Sequence, residues 1–134
     1  MADLIKKEAD GSLTFGDYTL QEKTKQDDFK ADGGSYKVKT YNEITRLECD
    51  GVLVYESVPG TNVTGLRGTA DGMSFSTEGS KDAQITVGVD PETSYEVKVS
   101  GESIGIISSN LGGKLSFSLE LEGSGKVEVE VTKA

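Results

Sequence analysis

The chain has 134 residues, a net charge of −9, one cysteine and no histidine. That length suits a single domain that buries a core without disulfides or metal. The negative charge argues against nucleic acid or an anionic membrane as a partner, and the lack of histidine excludes Ser-His-acid and Cys-His nucleophile sites and His-based zinc sites.

The N-terminal segment "MADLIKKEAD" has no apolar run of the length a signal peptide needs. No later stretch approaches the ~20 apolar residues of a membrane helix. A single cysteine, Cys49, permits no intramolecular disulfide and favours a reducing compartment. These features predict a cytoplasmic protein.

The first half of the chain contains short runs of strand-like alternation between turn residues. Leu13 and Phe15 alternate before a glycine, and residues 36–40 carry apolar and lysine side chains in turn. Residues 45–57, "TRLECDGVLVYES", predict a hairpin with Asp50-Gly51 in a type I′ turn. Residues 21–34 are charged and nearly free of apolar side chains, which favours a long loop or one short surface helix.

The second half of the chain alternates more regularly, and predicts strands over 85–89, 94–99, 115–121 and 126–132. The whole pattern predicts an all-β fold: a single antiparallel β-sandwich of about ten strands over residues 1–134, which could have a jelly-roll order. Two small β-subdomains that meet near residues 70–82 are the alternative.

A ligand-binding surface is predicted around Tyr41, Tyr55, Pro59 and Asn62. The chain has no tryptophan, so an exposed tyrosine would have to supply the ring that stacks on a sugar. Tyr41 and Tyr55 fall where a ring could be exposed, although Tyr55 could instead pack across a strand pair. Pro59-Gly60 predicts a turn with apolar neighbours, and Asn62-Val63-Thr64 is read as a chance match to the glycosylation triplet.

No catalytic residue, metal ligand or cofactor site is predicted. Glycoside hydrolysis would need two carboxylates about 5–10 Å apart, but the acids of the clearest strands occupy the outward-facing positions. The repeated Asp-Gly pairs are explained by turn chemistry, because Asp tolerates positive φ beside Gly. They lack the several oxygen ligands within a dozen residues of a calcium loop.

Two resemblances add to this interpretation. The segment 94–132, with Tyr-x-Val-x-Val, Gly-Lys-Leu-x-Phe and a valine-rich last strand, resembles accessory β-modules of secreted polysaccharide-degrading enzymes. "GSLTFGDYTL", "YKVKTYNEITRLECDGVLVYESVPGTNV" and the end of the chain resemble short bacterial β-proteins, some of them identified as endosialidases. A sialidase propeller needs ~160 residues for even four blades and clustered arginines. This chain has only Arg46 and Arg67, so no catalytic residue is assigned from the resemblance.

The sequence therefore predicts a non-catalytic bacterial protein that acts through its surface, by self-association or by contact with an unknown protein partner. A carbohydrate-binding module with a glycan partner is one alternative. A small glycan-active enzyme is the other, and it would require a concave site with two convergent acids.

Overall fold

Thirteen strands in two antiparallel sheets make up the protein in a computed structural model that describes residues 3–134. The strands are β1 (Ile5–Lys7), β2 (Leu13–Phe15), β3 (Thr24–Ala31), β4 (Gly34–Tyr41), β5 (Ile44–Cys49), β6 (Val52–Val58), β7 (Asn62–Thr69), β8 (Gly72–Glu78), β9 (Ala83–Gly88), β10 (Ser94–Val99), β11 (Glu102–Ser108), β12 (Lys114–Leu119) and β13 (Val127–Lys133). The all-β prediction is confirmed, with thirteen strands rather than about ten. Residues 3–134 contain no helix that could cross a lipid bilayer.

The two sheets differ in how far apart their neighbouring strands lie along the chain. The six-stranded sheet has the order β12-β9-β6-β5-β4-β3, so four of its strands form a consecutive meander. The seven-stranded sheet has the order β1-β2-β7-β8-β13-β10-β11 and joins segments distant in sequence. The free edges are therefore β1 and β11 in one sheet and β3 and β12 in the other.

Alternation of apolar and polar residues places the core between the sheets. In β12 the side chains of Leu115, Phe117 and Leu119 are buried while the serines between them are exposed, as the sequence predicted. The valines of β13 face the same core. Tyr55 of the six-stranded sheet contacts Phe15 and Phe75 of the other sheet edge-on, with ring centroids 5.5 and 5.4 Å apart.

Two-residue turns close five of the hairpins, β3–β4, β4–β5, β5–β6, β7–β8 and β10–β11, and three of these turns share one conformation. Asp50-Gly51 joins β5 to β6 with φ of 50° and 82°, the positive pair that a type I′ turn requires. The predicted turn is thus confirmed, and Asp32-Gly33 and Ser100-Gly101 have the same conformation. Such turns match the right-handed twist of the strands they connect, which fixes the register of each hairpin.

The prediction of a loop or helix over residues 21–34 is wrong, because most of that segment is strand β3. An irregularity between Gln26 and Phe29 adds a residue, so the more buried positions are Thr24 and Gln26 before it and Phe29 and Ala31 after it. The shift hides the period of two. Because β3 is an edge strand with one neighbour, it also tolerates charged side chains on its exposed positions.

Candidate functional site

Tyr55, for which the sequence allowed either an exposed ring or packing across a strand pair, is fully buried at 0% exposure, so the expectation of exposure is wrong. Its strand, β6, lies in the interior of the six-stranded sheet between β5 and β9, and alternation turns Leu53, Tyr55 and Ser57 inward. This buried position agrees with the alternative, that Tyr55 packs across a strand pair. A ring in this place has no free face on which a ligand could stack.

The Tyr55 hydroxyl belongs to a buried group of side-chain hydroxyls, here called the hydroxyl network, formed by Tyr55, Thr61, Thr77, Ser57, Thr45 and Thr40. Tyr55 Oη lies 2.8 Å from Thr61 Oγ1 and 3.0 Å from Thr77 Oγ1, and Thr61 Oγ1 lies 2.8 Å from Ser57 Oγ. Thr77 is on β8, so the network connects the two sheets.

Thr45 gives the network a defined direction. Its hydroxyl donates to the Thr61 carbonyl at 2.7 Å and accepts from the Thr61 amide at 3.0 Å. Since its only proton is used, the Thr40 hydroxyl at 2.8 Å must be the donor in the pair with Thr45. Thr40 in turn accepts from the Asp17 amide at 2.9 Å. The network therefore holds the β6–β7 connection against two strands of the meander.

The hydroxyl network has a structural role. Burial raises the pKa of Tyr55, and hydrogen bonds to Thr61, Thr77 and Ser57 oppose that change in part. Among residues 3–134 no buried side-chain oxygen or nitrogen lacks a hydrogen-bond partner. A satisfied, inaccessible network of this kind stabilises one packing arrangement.

The other three predicted residues lie at one end of the sandwich. The Tyr41 hydroxyl donates to Glu43 Oε2 at 2.6 Å, and this hydrogen bond raises the pKa of Tyr41. Pro59 follows a cis peptide bond and is half-buried, and Asn62 Oδ1 accepts from the Tyr18 amide at 2.9 Å.

Tyr41 and the Pro59 segment meet through their backbones. The Gly60 amide donates to the Asn42 carbonyl at 3.1 Å. A Cβ on Gly60 would lie 2.0 Å from the backbone carbonyl oxygen of Tyr41. The structure thus brings Tyr41 close to residues 59–62, whereas Tyr55 contacts the same segment from within the core, through Thr61.

A second surface, β11, stands out for its exposed apolar side chains. Ile106 is 65% exposed and Ile104 is 48% exposed, on a strand whose one partner among residues 3–134 is β10. Ile107 lies opposite buried Tyr95 and packs on the core, whereas Ile106 lies opposite Glu96 on the outer face. One edge of β11 therefore keeps free backbone hydrogen-bonding groups beside exposed isoleucines.

The largest depression described on the surface opens beside β11, towards β12 of the other sheet. It has a volume of about 420 Å³, and Ile104, Leu119 and Val127 supply apolar walls. Glu102 and Glu120 also line it. Both carboxylates belong to exposed residues, the ordinary state of surface acids. Among residues 3–134 no group of Asp, Glu or Cys side chains is arranged to hold a metal ion.

The sequence analysis did not predict a binding surface on β11, although the isoleucines of this strand are visible in the sequence. In "ESIGIIS" the isoleucines occupy both even- and odd-numbered positions, so both faces of the strand carry apolar side chains. A strand with one solvated face needs them on only one face. What the sequence could not supply is that no second strand of the described part of the chain pairs with β11. That property depends on β13 inserting between β8 and β10.

Comparison with known proteins places no relative beside this chain: no protein-family model, no curated protein and no solved structure matches it. The resemblance to short bacterial β-proteins and to accessory modules of polysaccharide-degrading enzymes therefore stays a prediction from the sequence.

Proposed function

We propose that this protein is a non-catalytic interaction module that self-associates by antiparallel pairing of β11 with β11 of a second copy. The observation that carries the proposal is the unpaired edge of β11 with Ile106 65% exposed beside it. Pairing would satisfy the free backbone groups and remove an exposed apolar side chain from water in one step.

The other three edges are less suited to pairing. β1 has only three residues, and β3 carries four charged residues and an irregularity, features that natural sheets use to prevent edge association. The exposed positions of β12 are a lysine and two serines, which offer no apolar surface. β11 contains a single charged residue, Glu102, at its start.

A register centred on Ile106 fits the shape of the strand. Antiparallel partners share a face, so Ile106 of one copy would meet Ile106 of the other on the outer face. In the same register Gly105 would lie opposite Ile107, which leaves room for the larger side chain. No carboxylate would face another, since Glu102 lies well away from the centre.

Two features keep this association weak. The register with β10 shifts between Val97 and Lys98, which leaves Ile104 as an extra residue and limits the regular part of β11 to Gly105–Ser108. So short an edge buries less than the ~1,200 Å² of a stable interface. Each copy also carries a net charge of −9, so we expect the dimer fraction to rise with ionic strength as salt screens the repulsion.

Size-exclusion chromatography with light scattering over a concentration series tests the proposal. Ile106→Lys places a charge at the centre of the pairing and should shift the protein to monomer. Val52→Lys is the matched control, because Val52 is 67% exposed on the other sheet and the change in net charge is the same. A wild-type protein that stays monomeric at the highest concentration would refute self-association, as would equal effects of the two substitutions.

A further inference from the structure

The outer face of the six-stranded sheet carries a group of cations, here called the basic cluster: Lys25, Lys37, Lys39 and Arg46. Lys25 lies directly across from Lys39, and Lys39 directly across from Arg46, so three cations form one row over β3, β4 and β5. The cluster and Glu48 line a shallow depression of about 80 Å³. This concentration of positive charge stands on a protein whose net charge is −9.

Arg46 has its own anionic partners. Its Nε donates to Glu48 Oε2 at 3.1 Å, and its Nη1 contacts Glu56 on the neighbouring strand. Partial burial lowers the pKa of Arg46, but the hydrogen bonds to Glu48 and Glu56 outweigh that and raise it. The two carboxylates nearest the cluster are therefore already engaged with the guanidinium.

The three lysines are left without partners of this kind. Within residues 3–134 the ion pairs involve Lys6, Lys7, Arg46, Arg67, Lys98 and Lys133, and none includes Lys25, Lys37 or Lys39. Lys37 lies opposite Glu48 in the register, but Glu48 bonds to Arg46 instead.

Such an arrangement opposes folding, because like charges placed directly across a strand pair destabilise a sheet. A chain with 23 acidic residues has ample means to neutralise the row. Within the described residues it instead places two carboxylates on Arg46 and none on Lys25 or Lys39, which lie directly across from each other. Local departures of this kind from favourable pairing are typical of functional sites, and a bound anion would relieve the repulsion.

We propose that the basic cluster binds the carboxylate or sulfate group of an acidic saccharide. A depression of about 80 Å³ has room for one such group. The remainder of the ligand would lie along the open sheet. There Tyr41 shares the outer face of β4 with Lys39, and Thr86, Ser116 and Gln84 present polar groups on the strands beyond Glu56.

The geometry favours a saccharide over a nucleic acid. Nucleic-acid binding spreads over several phosphates along an extended basic surface, whereas here three unpaired lysines surround one small depression. The net charge of −9 opposes a polyphosphate chain, which carries a charge on every unit. The Tyr41 ring shares the outer face of β4 with Lys39, which suits a sugar with one anionic group at the cluster. The site is on the sheet that does not contain β11, so it is independent of self-association.

Calorimetric titration with a trisaccharide that carries one uronic acid, its neutral methyl ester and a trisaccharide with one sulfate group tests the proposal, with inorganic sulfate and a short single-stranded oligonucleotide as further probes. Wild-type protein should bind at least one acidic saccharide and bind the methyl ester at least 10-fold more weakly. Lys39→Gln should weaken acidic-saccharide binding at least 10-fold. Lys98→Gln, the same charge change on the other sheet, should leave binding unchanged.

Further variants separate the saccharide from the simple anion. Tyr41→Ser should weaken the saccharide but leave the response to inorganic sulfate unaltered. Urea denaturation of Lys39→Gln should show a stability equal to or above that of wild type, because the substitution removes like-charge repulsion, so a loss of binding cannot reflect unfolding. Equal binding of acid and ester, equal weakening by Lys98→Gln, binding of the oligonucleotide alone, or no saccharide binding at millimolar concentration would each overturn the proposal.

Discussion

Tyr55→Phe removes one hydroxyl from the hydroxyl network and leaves the ring that packs against Phe15 and Phe75. The buried Thr77 hydroxyl then loses the only hydrogen-bond partner that it has among residues 3–134. Thr61 Oγ1 keeps its bond to Ser57. The substitution therefore creates one unpaired polar group in the core without creating a large cavity.

The expected loss follows from that single unpaired hydroxyl. A buried group without a partner costs about 1–3 kcal/mol, and we expect the free energy of unfolding to fall by that amount. For a chain of this size each kcal/mol lowers Tm by about 3–6 °C. Tyr41→Phe is the matched control, since it removes a hydroxyl bonded only to exposed Glu43, and should change stability by less than about 0.5 kcal/mol.

Urea denaturation followed by far-ultraviolet circular dichroism measures these differences, with an unchanged m-value as the sign that only stability has altered. The double variant Tyr55→Phe/Thr77→Val removes both members of the hydrogen bond and leaves no unpaired group. Its loss should be smaller than the sum of the two single losses. Strict additivity would refute the reasoning, because it would mean that Thr77 is satisfied without Tyr55.

Two further perturbations test the packing and the titration of the six-stranded sheet. Gly88→Ala would place a Cβ 2.0 Å from the Leu53 carbonyl oxygen, so we expect the free energy of unfolding, measured by urea denaturation, to fall by about 1–3 kcal/mol or more. Gly68→Ala is the control, because a Cβ there would meet no atom within 4 Å and should leave stability nearly unchanged. Similar losses for both variants would contradict the packing described. Burial and the neighbouring Cys49 raise the pKa of Tyr36 from 10.0 to about 12. The folded state then keeps a proton that the unfolded state releases, so stability should fall as pH rises from about 10 to about 12. Tyr36→Phe should make this fall shallower, and an unchanged slope would show that other groups cause it.

Local signals in the sequence were sufficient for much of the fold. β12 and β13 alternate strictly because one face of each contacts the core and the other contacts water, and Asp50-Gly51 has a backbone preference that needs no tertiary context. β3 was missed because its irregularity moves the more buried positions from even to odd residue numbers. When the apolar and polar positions are averaged over the whole of β3, the two halves cancel and the period of two disappears.

The candidate surfaces were harder to predict, since each depends on which strands become neighbours. Tyr55 occupies an ordinary strand position, and only the placement of β6 in the middle of a sheet buries its ring. Lys25 and Lys39 are 14 residues apart in the sequence, and register alone brings them together. The sequence indicated that Ile106 is apolar but not that its strand would lie at an edge.

The position of β13 has a consequence for how the chain folds. This last strand, Val127–Lys133, lies between β8 and β10 inside the seven-stranded sheet, whereas β3 to β6 pair with their neighbours in sequence. Local pairings form quickly and distant ones slowly, so during synthesis the meander can assemble first. The other sheet remains divided into two parts until Val127–Lys133 has left the ribosome. The nascent chain therefore exposes the unpaired edges of β8 and β10 until β13 has emerged.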